Sequence, residues 1–349
     1  MGRRILITGL GTFWGGRVAQ ALESDPGVEV IIGVDTAAPQ VELERTEFVR
    51  ADQGFSILAR IVKATQPDTI VHTILSVDST RVSARRLHEI NVIGTMNLLA
   101  AASASSSSVR HVVVKSSTLV YGSASTDPTW FREESRRSGP ANTRVERSLL
   151  EVEGYLRDFA RDNPEVVVTV LRFANVLGAD ITTPISKALS GPVAPGVFGF
   201  DPQMQFVEEG DVVRALEHVT HNEVPGTFNV AGDGRLPWSE VADICAVRIV
   251  PLIPLLTEWS VAPLSWLRLA DFPAEMLNLL RYGRGVDNRK FKNTGFQYRY
   301  TSAGAVECFA RASRLRGGVG RQPPAYHFET DVENFFRHSP AVIRSQPTS

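Results

Sequence analysis

Short β-branched runs and helix-length segments alternate along the first half of the chain. Arg4–Thr8, Val28–Asp35, Glu47–Arg50, Thr69–Thr73, Arg110–Ser116 and Val166–Arg172 read as strands. Thr12–Ser24, Phe55–Thr65, Arg81–Ala102 and Asn142–Asp162 between them read as helices. Alternation of this kind builds βαβ units, so the fold class is α/β with a doubly wound parallel sheet. Val28–Val34 and Val166–Leu171 are nearly continuous apolar runs, as central parallel strands require. After residue 178 the pattern loosens around Pro184, Pro192, Pro195 and Pro202. Helical periodicity returns at Glu209–His221 and Ser239–Val247, with a strand at Thr227–Val230. The expected organisation is a first domain over 1–178 and a smaller lobe over 179–316. Parts of that lobe, about 205–231, thread back onto the first domain, and a disordered tail follows over 317–349.

Composition narrows the function. Of 349 residues, 43% are hydrophobic and 21% charged, which excludes a disordered chain. A net charge of −1 gives no basic balance for nucleic acid or an anionic membrane. Two distant cysteines, Cys245 and Cys308, make neither a disulfide scaffold nor a zinc knuckle, so a cytoplasmic setting is expected. The opening apolar run is too short for a signal peptide. Ile249–Leu269 is the most apolar later stretch, but three prolines and Glu258 make it a poor membrane span. A buried or partner-facing loop is the better reading. Only five of the 37 basic residues are Lys.

The first strand runs into Thr8-Gly9-Leu10-Gly11-Thr12-Phe13-Trp14-Gly15, and a helix follows. Such a unit turns backbone N–H groups and the positive end of a helix toward a pyrophosphate. Asp35 ends the second strand twenty residues after Gly15. A carboxylate there accepts hydrogen bonds from ribose hydroxyls and repels a 2′-phosphate, which favours NAD over NADP.

Several motifs in sequence order resemble the extended short-chain dehydrogenase/reductase family, the nucleotide-sugar epimerases and dehydratases. The Thr8–Gly15 loop resembles TGxxGxxG, and Ala51-Asp52 resembles the adenine-contacting Asp. Asp68–His72 resembles DxVxH, and Asn91–Leu99 resembles NVxGTxNLL. Ser116–Gly122 is similar to SSxxVYG, Leu171–Gly178 to LRxxNVxG and Phe206–Asp211 to FVxVxD. The resemblance spans roughly 4–310 and implies a Rossmann-type domain, an NAD cofactor and a nucleotide-sugar substrate. It implies cofactor contacts from Gly9, Gly11, Thr12, Phe13, Trp14, Gly15, Asp35, Asp52, Thr73, Asn91 and Ser116. It also implies a catalytic hydroxyl at Ser117 and a substrate contact at Asn175. The family often pairs through two helices per subunit, here 81–102 and 142–162, so a homodimer is expected. No metal is implied.

Chemistry in that family uses a Tyr-x-x-x-Lys pair, in which the lysine lowers the tyrosine pKa. Counted back from Arg172, those positions hold Val145 and Leu149, and none of the six tyrosines has Lys four residues on. The middle loop glycine is replaced by Thr12, whose Cβ is expected to weaken or displace the pyrophosphate, with Gly11 restoring slack. Glu146 and Arg147 flank the missing pair and read as a solvated face. His72 reads as a core histidine, and His218 with His221 lacks a third metal ligand. Three functions stand open. They are an epimerase or dehydratase with altered catalytic groups, a non-catalytic dinucleotide sensor or assembly protein, and a reductase of a small carbonyl or sterol.

Overall fold

The computed structural model describes residues 2–80, 82–128, 130–252, 274–316 and 331–344. The first half lays down β1 (Arg3–Thr8), α1 (Phe13–Glu23), β2 (Val28–Asp35), β3 (Thr46–Arg50), α2 (Phe55–Thr65) and β4 (Thr69–His72). Then come α3 (Ala84–His88), α4 (Gly94–Ala102), β5 (His111–Ser117), α5 (Arg144–Asp162) and β6 (Val167–Phe173). The later part adds β7 (Asn175–Leu177), α6 (Pro184–Ser190), β8 (Val193–Val197), β9 (Gln203–Met204) and β10 (Phe206–Glu208). It continues with α7 (Glu209–Asn222), β11 (Gly226–Val230) and α8 (Trp238–Cys245).

Seven strands form one sheet in the order β11-β6-β5-β4-β1-β2-β3, with every pairing parallel. Alternation along each strand divides the core into two layers. On β5, Val112 and Val114 join the layer under α2, α4 and α5, whereas Val113 joins the layer under α1 and α7. A third cluster fills the smaller lobe, built on Leu189, Phe206, Trp238 and Phe309. No helix among the described residues is long and apolar enough to cross a membrane. Of the apolar stretch 249–269, Ile249–Leu252 lies in a strand paired with β8, and the remainder falls outside the described residues.

Two expectations need correction. The helix expected over 81–102 is not continuous, because a π-turn over Glu89–Ile93 separates α3 from α4. Asn91 lies in that turn fully buried. Its amide accepts from Ser76 N (2.8 Å) and donates to Ser76 O (2.9 Å) and Ser148 Oγ (3.0 Å). The wide turn lets an inward side chain hold the loop after β4, a common use of π-turns.

The tail expected to be disordered over 317–349 is ordered where it is described. Asp331 caps a helix over Val332–His338, and Phe335 is buried against the α2 side of the sheet. Arg4 Nη2 donates to Ala341 O (2.6 Å), Ile343 N to Ala64 O (2.8 Å), and Arg60 lies 4.4 Å above the Phe336 ring. Low periodicity hid one short helix whose apolar partners are 270 residues away. We expect Phe335→Ala to destabilise the protein by about 3–5 kcal/mol in denaturant unfolding; a change within ~0.5 kcal/mol would mean that the tail contributes no packing.

Candidate functional site

The carboxyl ends of parallel strands are where an α/β sheet binds ligands, and two cavities open there. The first, about 420 Å³, is walled by Asp35, Asp52, Gln53 and Gly94 among others. The second, about 580 Å³, is walled by Phe13, Trp14, Lys115, Ser116, Ser117, Asn175 and Arg284 among others. Gly11 and Thr12 belong to both walls.

The glycine loop between them is tightly closed. A Cβ on Gly15 would collide with the Gly9 carbonyl, and one on Gly11 with the Ala37 carbonyl. Gly11 therefore does not supply slack; it lets β1 and the loop after β2 meet. Thr12 also differs from expectation. Its Oγ1 donates to Gly9 O (2.7 Å) and accepts from Gly15 N (3.1 Å), so the hydroxyl caps α1. The N–H groups of Phe13 and Trp14, first in the helix, have no acceptor among the described residues.

On the first cavity, Asp35 is 7% exposed. Its carboxylate accepts from Gly11 N (3.0 Å), Thr36 N (2.6 Å) and Ala37 N (3.2 Å). Asp52 accepts from Gly54 N (3.0 Å). Beside it, Gln53 Oε1 is buried with no hydrogen-bond partner among the described residues, an unmet acceptor in a ligand-sized cavity. Thr73 and Asn91, expected at the cofactor, line neither cavity. Thr73 Oγ1 donates to Thr8 O (3.0 Å) and Asn91 holds Ser76, so both shape the loop from behind.

The second cavity is walled by both cationic and acidic side chains, Lys115, Arg284, Asp78 and Asp180. Ser116 commits its hydroxyl proton to Glu153 (2.7 Å), whereas Ser117 Oγ accepts from Leu119 N (3.2 Å). Asn175 donates to Gln205 O (3.0 Å). Asp78 accepts from Thr80 (2.6 Å) and Asp180 pairs with Arg17 (2.6 Å), so the acidic groups of the wall are engaged. Arg284 donates to Gly122 O (2.9 Å), and burial draws its pKa down to about 10. Lys115 is 4% exposed, with Nζ 5.5 Å from the centre of the Trp14 ring and no carboxylate partner among the described residues. Burial lowers its pKa to about 8. Against ~10.4 in an unfolded chain, this disfavours the folded state at pH 7 by on the order of 3 kcal/mol. The sign is that of a depressed lysine: stability rises with pH from about 8 to above 10.

Helix α5 contributes nothing to either wall. Val145 and Leu149 are fully buried in the core beneath it. Glu146, expected on a solvated face, is instead 4% exposed and paired with Arg137 (2.9 Å) as an acidic residue in the helix's first turn. Arg147 is exposed. His72 is buried between Thr8 Oγ1 (2.6 Å) and Thr95 Oγ1 (3.0 Å), and burial lowers its pKa to about 4. His218 meets Thr294 (3.0 Å) and His221 meets Asp25 (3.4 Å).

Sequence reasoning missed Lys115, Gln53 and Arg284. A cation closing the run Val112-Val113-Val114, two residues before Ser117, was the available signal for Lys115. Arg284 carried none, since it reaches the site from 160 residues downstream of Gly122. Restoring the family pair as Val145→Tyr with Leu149→Lys is expected to destabilise the protein by several kcal/mol through overpacking and a buried charge. It should confer no sugar interconversion, and gain of such activity in the double variant would show that α5 faces the cavity.

A model of the NAD-dependent epimerase/dehydratase family matches residues 5–231. Uncharacterized proteins of Mycobacterium tuberculosis and Mycobacterium bovis are 34% identical over 322 residues, covering 89% of this chain and 84% of theirs. Among solved structures, the UDP-glucose 4-epimerase of Thermotoga maritima with UDP-glucose is 18% identical with a TM-score of 0.67, over 90% of this chain and 99% of that one. The dTDP-glucose 4,6-dehydratase of Bacillus anthracis in complex with NAD gives the same identity and score, over 90% and 97%. MoeE5 in complex with UDP-glucose and NAD also gives 18% and 0.67, over 90% and 100%.

Proposed function

Since the chain belongs to the NAD-dependent epimerase/dehydratase family, we propose that it binds NAD across the two cavities and a nucleotide sugar in the larger one, in the manner of a UDP-sugar 4-epimerase. One observation carries this reading. The two cavities meet at Gly11–Thr12, where the unpartnered N–H groups of Phe13 and Trp14 stand at the positive end of α1. That arrangement suits a dinucleotide whose pyrophosphate bridges an adenosine half and a reacting half. Asp35 would hold ribose hydroxyls, and Asp52 with the unmet Gln53 acceptor would hold the adenine amine. NAD would supply a hydride acceptor to the larger cavity. There Ser117 can donate to a sugar hydroxyl, and Arg284 and Asn175 can hold a diphosphate.

A second reading has its own support. With Val145 and Leu149 sealed in the core, the chain lacks the family's proton-transfer pair, which suits a dinucleotide sensor or assembly protein that does not turn over. A homodimer through the helices within 81–102 and 142–162 belongs to either reading, since Met96 on α4 is 40% exposed. Titration calorimetry tests the shared part. NAD should bind at least roughly tenfold more tightly than NADP, and Asp35→Ala should weaken NAD by about tenfold or more through loss of charge-assisted hydrogen bonds. Absence of binding by NAD, NADP and ADP-ribose at millimolar concentration would sink both readings. Interconversion of UDP-glucose and UDP-galactose then separates the enzyme from the sensor.

A further inference from the structure

Lys115, in the wall of the larger cavity, has no carboxylate partner among the described residues. Strand β5 alternates, so Lys115 and Ser117 share the face turned to α1, while Ser116 faces Glu153 on α5. Two residues of strand separate them by about 6.6 Å, within the length of a lysine side chain. We propose that Lys115 is the acid–base residue of this cavity, its amine accepting the proton of a ligand hydroxyl presented beside Ser117. The inference rests on the reading that the cavity holds a sugar hydroxyl. In the step, the ligand O–H bond breaks and an N–H bond forms at Nζ, while the hydride leaving the carbinol carbon goes to the nicotinamide that NAD supplies. The reverse step returns the proton from the ammonium.

The surroundings favour this role over a packing role. Among the described residues no carboxylate pairs with Lys115, and Asp78 and Asp180 in the same wall are engaged by Thr80 and Arg17. From α1 Lys115 meets the Trp14 ring, and Arg17 nearby is tied to Asp180. On β4, His72 is held between two threonines. On β6, Arg172 is bound to Glu153 on the opposite face. On α7, Asp211 is bound to Arg214. Among the described residues a ring face is what stabilises an ammonium so placed, and the same desolvation that lowers its pKa to about 8 leaves about a tenth of it as amine at pH 7. Such a poise is what proton transfer at physiological pH requires.

The five lysines of the chain make a direct test practicable. Intact protein is pulse-labelled with acetic anhydride from pH 6 to 11, with and without NAD plus UDP-glucose, and each lysine is read by peptide mass spectrometry. Lys115 should reach half-reactivity near pH 8, about two pH units below an unperturbed lysine, and bound ligands should slow it. Half-reactivity alongside the other four, or unchanged labelling under ligands that calorimetry shows bound, overturns the proposal. In parallel, formation of reduced cofactor on adding UDP-glucose is followed at 340 nm. The wild-type rate should climb about tenfold per pH unit below pH 8 and level above it. K115M and K115R should lose roughly 10²–10⁴-fold while still binding UDP-glucose. A K115R rate within threefold of wild type, or no reduction by wild-type protein that binds both ligands, overturns it. Failure to bind UDP-glucose at all is a different result, and overturns the nucleotide-sugar reading on which the proposal stands.

Discussion

The buried pair Glu153–Arg172 fixes the architecture around the site. Arg172 at the end of β6 grips the Glu153 carboxylate through Nε (3.0 Å) and Nη2 (2.5 Å), with both side chains at most 10% exposed. Burial opposes the Arg172 charge, but the hydrogen bonds and charge of Glu153 outweigh it and raise its pKa. Removing one partner of such a pair strands a buried charge, typically at 3–5 kcal/mol. The same guanidinium donates to Tyr121 (2.7 Å) and to Glu133 O (3.1 Å), and Tyr121 donates to Asn229 on β11 (2.7 Å). Four elements are thereby clamped at the carboxyl end of the sheet. The clamp sets the roll of α5, which turns Val145 and Leu149 into the core. It also consumes the Tyr121 phenol, whose pKa burial pushes up to about 12, so this tyrosine serves as a structural donor.

How much of this was legible depends on how local each signal is. The β1–loop–α1 unit reads directly, since Thr12, Gly15 and the first apolar strand lie within a dozen residues of one another. Its details do not. That Gly11 is required by the Ala37 carbonyl depends on a loop more than twenty residues away. The π-turn at Glu89–Ile93 escapes a reading based on a 3.6-residue period because a buried amide, not the apolar face, sets it. Ser117 and Asn175 were found by motif, and both line the cavity. Lys115 lies two residues before Ser117 on the same strand, and no motif singles it out. Arg284 needed the folded chain, since a single bridge from Met204 brings it in.

Stability and chemistry pull in opposite directions at β5. A methionine at 115 would complete the apolar layer of Val113 and Phe173, and among the described residues no counter-ion rewards a cation there. Several other buried charges are paired: Glu153 with Arg172, Glu146 with Arg137, Asp211 with Arg214 and the Arg299 amide. Lys115, like Arg284, has no such ion pair among the described residues and faces a ligand-sized space. Buried groups with displaced pKa values concentrate at functional sites for this reason.

The contact between Arg4 and the Ala341 carbonyl has a consequence in time. Residue 341, whose carbonyl completes the Arg4 guanidinium, is made 337 residues after it. Until then the face of α2 that Phe335 and Phe336 cover stays bare, and Arg60 lacks the Phe336 ring to stack on. Domains generally fold in the order of synthesis, and exposed apolar surface on a partly made chain invites aggregation. Here the final packing of the first domain waits until the segment around Phe335 and Ala341 has been made. Through that interval the nascent chain carries an unfinished outer face, a defined surface for a chaperone to hold.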